Sequence, residues 1–116
     1  MRVEVRLEFL PRGGRLCLRS PQSETLVYLP DKRCDLMALL LSPPEPSRPG
    51  DFVEDEVLLT RIWGKEPKAR TDVNVLVHRL RKDLERGGLD ASWVERQKGG
   101  GATRFLILPG TEVTLV

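Results

Sequence analysis

At 116 residues, 40% hydrophobic and 31% charged, the chain has material for one domain with a core and none for a second of ordinary size. No apolar run approaches the roughly 18 residues that cross a bilayer. The N-terminal MRVEVRLEFL alternates charged with apolar side chains where a secretory signal has a continuous apolar stretch. Two cysteines, Cys17 and Cys34, are too few for a disulfide framework or a four-cysteine zinc site. A soluble, reduced, cytoplasmic domain is expected. The net charge is +2, but it is unevenly spread: residues 1–60 sum to −2, residues 61–104 to +5 and residues 105–116 to −1. Positive charge gathered in one contiguous third is the footprint of an anion-binding face.

The first thirty residues read as strands. Val3, Val5, Leu7 and Phe9 alternate with Arg2, Glu4, Arg6 and Glu8. Pro11-Arg12-Gly13-Gly14 is turn chemistry before Leu16-Cys17-Leu18, and residues 20–24 turn again before Thr25-Leu26-Val27-Tyr28-Leu29. The expectation is a small antiparallel sheet over about residues 2–29 with one apolar face, which must pack on something else.

From Asp31 to Leu41 the spacing of Cys34, Met37, Ala38, Leu40 and Leu41 predicts a helix. Pro43, Pro44, Pro46 and Pro49 end it and favour a stiff, extended connection. Phe52-Val53 is either a short strand or the lead-in to the next helix. Glu54, Asp55 and Glu56 put negative charge at that helix's N-terminus, Val57, Leu58, Leu59, Ile62 and Trp63 form its apolar stripe, and Gly64 suits its C-terminal end.

After the polar loop Lys65–Arg70, Thr71 or Asp72 caps a third helix running to about Arg86 and stopped by Gly87-Gly88. Val73, Leu76, Val77, Leu80 and Leu84 share one face. The other face carries Thr71, Val75, His78, Arg79, Lys82 and Arg86, with Arg79 near its centre and Arg81 at its edge. Trp93–Gln97 and Arg104–Leu108 read as two strands around a basic tip, Lys98–Thr103, and Pro109-Gly110 turns the chain into a last strand at 112–116.

The segment from Phe52 to Trp63-Gly64 resembles the second-helix signature of OmpR/PhoB-type effector domains, which ends in Val/Ile-Trp-Gly. Val73–Glu85 is similar to that family's recognition helix through its Arg79-Leu80-Arg81-Lys82, and Val94–Phe105 resembles its C-terminal wing, with Lys98-Gly99 opening the turn. The resemblance covers nearly the whole chain. It implies an α+β winged helix-turn-helix in a single domain over 1–116, with a three-helix core at about 31–86 and wing and C-terminal strands at about 93–116. Four features depart from the pattern: Leu29-Pro30-Asp31 stands where Thr-Pro usually opens the first helix, Glu54 where Ser or Thr caps the second, the proline-rich loop is longer, and Ala102-Thr103 replaces an aromatic near the wing's return. A receiver domain ahead of the module is not expected from this sequence, and its apolar end suggests a piece cut from a longer protein.

The resemblance implies binding of double-stranded DNA in transcriptional regulation, with the third helix in the major groove. Arg79 has the reach for bidentate contact with guanine, and Val75 can meet a thymine methyl. His78, Arg81, Lys82 and Arg86 suit phosphates, and Thr71 lies at the helix start. In the wing, Lys98 reaches for a minor groove while Arg96 and Arg104 grip phosphates. In the family the loop between the second and third helices can touch RNA polymerase, a role open here to Lys65, Glu66 and Lys68. Family members commonly bind paired half-sites as dimers on DNA; the isolated domain is expected to be mainly monomeric. A winged helix used only for protein docking is the alternative. With His78 as the single histidine, a catalytic triad or histidine metal site lacks parts. Residues 99–101 are no phosphate loop, because no Gly-Lys-Ser/Thr follows. Neither enzyme activity, cofactor nor metal is expected. Cys34 falls on the apolar side of its helix and Cys17 on either face of its strand; Trp63 and Trp93 are expected to be packing residues, Trp63 largely buried.

Overall fold

Strand alternation organises the N-terminal layer of the computed structural model, which describes residues 3–116; Arg2, in the first expected strand, lies outside them. Strand β1 (Val3–Phe9) pairs antiparallel with β2 (Gly14–Arg19), and β2 with β3 (Glu24–Leu29). The registers Leu7↔Leu16 and Leu16↔Val27 bring buried leucines and valines onto one face. Gly14 is required there: a Cβ on it would lie 2.4 Å from Cys34 Sγ, so the absent side chain lets helix α1 (Asp31–Leu41) settle on the sheet. Cys17, next to the buried Leu16, points to the opposite, outer face, and the sheet separates the two thiols. Burial pushes the Cys34 thiol up to about 11. The Cys17 thiol is also raised, by its partial burial and then by Glu24.

The three N-terminal strands pair antiparallel as expected, and a fourth strand from the C-terminus makes the sheet mixed. The last strand, numbered β7 in chain order (Thr111–Leu115), runs parallel to β1 with Val5↔Val113 and Leu7↔Leu115, giving the order β3-β2-β1-β7. A parallel pair needs a long crossover, and here the three helices and the wing together supply it. Val113 and Leu115 carry the apolar face of β1 one strand further.

Strand β4 (Val53–Glu54) precedes α2 (Asp55–Trp63), so Val53 belongs to a short strand and Phe52 leads into it. The buried stripe of α2 is narrower than its sequence suggests: Leu58 and Ile62 are buried, while Val57, Leu59 and Trp63 are half-buried. Helix α3 (Arg70–Arg86) starts one residue before the earlier of the expected caps. Ala69 occupies the cap position, and Asp72 reaches back from the first turn to accept the Ala69 N–H at 2.8 Å. Val73, Leu76, Val77, Leu80 and Leu84 are buried as their spacing predicts.

The wing is shorter than the expected strands. Ala91–Trp93 form a 3₁₀ turn, and β5 (Val94–Arg96) pairs with β6 (Ala102–Phe105), which also pairs with β4. Ala102 and Thr103, expected in the turn, are buried strand residues. Trp93 packs edge-on against the buried Phe105, ring centroids 6.3 Å apart. No helix among the described residues is long and apolar enough to cross a membrane.

Candidate nucleic-acid interface

At about 100° per residue, the middle of the α3 face opposite the core is held by Thr71, His78 and Lys82, all exposed, with the exposed Val75 beside them. Arg79 is also exposed but sits about a third of a turn from the centre of the core face, on the flank where Lys32, Trp63, Lys68 and Val75 line a common groove. Its expected central position is therefore corrected: the apolar positions of α3 are centred between Val73 and Leu80, which tips Arg79 toward α1 and α2. Lys32 Nζ donates to the Ile62 carbonyl at 3.1 Å, placing a cation at the C-terminal end of α2, where the helix dipole favours it.

On the other flank, Arg81 turns to the wing, where its Nε–H donates to the Val94 carbonyl at 2.8 Å. This ties the Nε of Arg81 to the first residue of the wing. Arg86, at the helix end, is exposed but lies 3.4 Å from Asp83 Oδ1 and beside Leu26 and Tyr28 of β3, next to the sheet and away from the centre of the α3 face. The buried Asp83 accepts from Arg33 Nη1 with both oxygens at 2.9 Å, joining α1 to α3.

Two of the three wing cations are likewise engaged inside the protein. Arg96 is only 14% exposed; it donates to both oxygens of the buried Asp55 and to Thr103 Oγ1 at 3.0 Å. Arg104 pairs with Glu95 Oε2 at 3.0 Å across the hairpin and stacks over the Phe52 ring, 4.6 Å from its centroid. In both cases the cross-strand neighbour, Thr103 or Glu95, offers an acceptor, and charge-assisted hydrogen bonds hold the guanidinium. Lys98 stays exposed in the turn closed by Gly100 N–H to Gln97 O at 2.7 Å.

Sequence reasoning missed Arg70 and Asp55 as members of this region. Arg70 Nε lies 3.5 Å from Asp55 Oδ2, and its guanidinium faces the wing turn, 3.6 Å and 3.8 Å from where Cβ atoms on Gly101 and Gly100 would stand. Asp55 could be read in the sequence only as a favourable charge at a helix N-terminus. Nothing in its spacing signals a partner forty-one residues away. Lys65, Glu66 and Lys68 are all exposed in the loop between α2 and α3. Among the described residues no group of three histidine, cysteine or carboxylate side chains is placed to hold a metal.

A sheet-backed three-helix core, a cation-bearing third helix and a hairpin packed at its side define a winged helix-turn-helix protein. The family model for the C-terminal domain of transcriptional regulatory proteins matches residues 23–101, and the chain belongs to that family, a DNA-binding domain of transcriptional regulation and not a class of enzyme. Among solved structures, the DNA-binding domain of the response regulator AdeR, crystallised in complex with an intercistronic region, is similar with a TM-score of 0.62 at 16% identity, over 80% of this chain and 86% of that one. At this identity the likeness concerns the fold. No sequence match is found among curated proteins.

Proposed function

We propose that the chain, residues 1–116, acts as one unit that binds double-stranded DNA sequence-specifically, with α3 in the major groove and the wing turn at the adjacent minor groove or backbone. The observation that carries this reading is the two-sided character of α3: five apolar residues buried on one side, and Thr71, Val75, His78 and Lys82 open on the other. Major-groove reading requires such a helix, packed on one face and furnished with donors and small apolar groups on the other. In this reading Val75 and Arg79 meet base edges, His78 and Lys82 meet phosphates near the helix centre, and Lys98 meets the backbone from the wing. Arg81, Arg96 and Arg104 hold the scaffold. The exposed Lys65, Glu66 and Lys68 form the surface open to RNA polymerase. The domain is a cytoplasmic monomer by itself and dimerises on paired half-sites.

The test is a mobility shift with random duplex DNA at low and moderate salt, followed by light scattering with and without a selected site. Binding that weakens steeply with salt is expected. No shift even at low salt would leave protein docking as the role of this winged helix, and a stable dimer without DNA would overturn the monomer.

A further inference from the structure

The one buried carboxylate between α2, α3 and the wing has a role that rests on the DNA-binding reading above and goes beyond it. Asp55, 7% exposed, is the first residue of α2. Its two oxygens accept from Arg96 of β5, its Oδ2 also faces Arg70, the first residue of α3, and its own N–H donates to the Gly101 carbonyl of the wing turn at 2.9 Å. Arg96 in turn reaches Thr103 of β6. Four elements thus converge around one residue: the Asp55 side chain joins the start of α2 to Arg70 of α3 and Arg96 of β5, and β6 is reached through Arg96.

We propose that Asp55 is the positioning residue of the DNA interface: it sets the wing turn and the N-terminus of α3 in one frame, and it acts on DNA only through them. The glycines at 100 and 101 make this anchor necessary. A turn of three consecutive glycines, 99–101, all with positive φ, has little stiffness of its own, so the direction of Lys98 is governed by what grips the strands on either side. The guanidinium of Arg70, paired with Asp55, stands on the side of the turn that Cβ atoms on Gly100 and Gly101 would occupy.

The sign of the effect separates positioning from simple electrostatics. Removing an acid beside a surface that binds a polyanion would, by charge alone, tighten DNA binding. Loss of a positioning residue weakens it. The experiment measures binding of a duplex over a range of salt for the parent protein, Asp55→Asn, Lys98→Ala and the double variant, at a temperature where circular dichroism shows each to be folded. Asp55→Asn is expected to bind about tenfold more weakly. Its slope of log affinity against log salt is expected to fall by about 0.9, the signature of one lost phosphate contact. Adding Lys98→Ala to it is expected to change little, although Lys98→Ala alone weakens the parent.

Arg96→Lys conserves charge but cannot bridge Asp55 and Thr103 as a planar fork does. It is expected to weaken binding in the same way, and it carries the test should Asp55→Asn not fold. A role confined to stability would lower the melting temperature and leave the affinity and the salt slope of the folded protein unchanged. Unchanged or tighter binding by Asp55→Asn, with the parent binding normally, overturns the inference. A parent protein that binds no duplex overturns the DNA reading itself and the inference with it.

Discussion

Arg81 of α3 donates to the backbone carbonyl of Val94 at 2.8 Å, bolting the helix to the first residue of the wing. A guanidinium on a basic helix is thereby a structural member, and its neighbour Lys82, one residue on, is exposed. Arg81→Ala should cost about 1–3 kcal/mol of stability, the range for a hydrogen bond involving a charged group, and leave the salt dependence of DNA binding unchanged. Lys82→Ala should do the reverse, lowering the salt slope by about 0.9 with little effect on melting. Denaturant melts and anisotropy titrations on both variants check this. A salt-slope change from Arg81→Ala without destabilisation would return Arg81 to the DNA contacts.

Arg79→Ala should cost about 1–3 kcal/mol on the preferred site and flatten discrimination at one base position. Its place on the flank beside Lys32 and Lys68 makes the alternative measurable. Equal weakening on every duplex, with a reduced salt slope, would show that this flank clamps phosphate and that specificity comes from Val75 and its neighbours.

Trp63 packs against the core but is only half-buried. Full burial of such a side chain would make Trp63→Ala cost about 3–5 kcal/mol; the partial burial lowers the expected loss to about 1–3 kcal/mol. Equilibrium unfolding in urea measures it, and a larger loss would show that Trp63 is a full core residue.

The buried Asp83 is the acceptor for Arg33 of α1 and lies near Arg86. Asp83→Ala strands a guanidinium that is 26% exposed, so the loss should be about 1–3 kcal/mol, below the figure for a wholly buried pair. In a double-mutant cycle, Asp83→Ala in an Arg33→Ala background should cost less than it does alone. Additive losses would show that the two side chains are energetically independent.

Burial raises the Cys34 thiol from an ordinary value of 9.0 to about 11. The native protein therefore holds its proton where the unfolded chain has released it. The stability that follows is fully present below about pH 9 and is lost as pH rises toward about 11. Melting temperatures of the parent should fall across that window, and Cys34→Ala, although less stable throughout, should show a flatter decline. Parallel curves for the two proteins would refute the assignment.

Much of the fold was legible in the sequence because its causes are local. The alternation in β1, the helical spacing in α1 and α3, the prolines after Leu41 and the glycines after Arg86 act within a few residues of themselves, and the elements formed there close to the expected bounds. The wing strands and the burial of Ala102 and Thr103 were less legible, since a short hairpin flanked by glycines carries little periodicity.

What only the tertiary structure decided is which distant residues meet. The parallel pairing of β7 with β1 depends on an edge left open by β3, β2 and β1, which no local pattern reports. The same holds for the cations. Composition placed a positive excess in residues 61–104, but Arg81, Arg96 and Arg104 found a carbonyl, a buried carboxylate and a cross-strand glutamate, while Lys82 and Lys98 found solvent. A charge pattern shows what a segment carries. Whether a guanidinium faces DNA or an internal acceptor depends on geometry set by packing, because a desolvated cation is stable only where the fold supplies its partner.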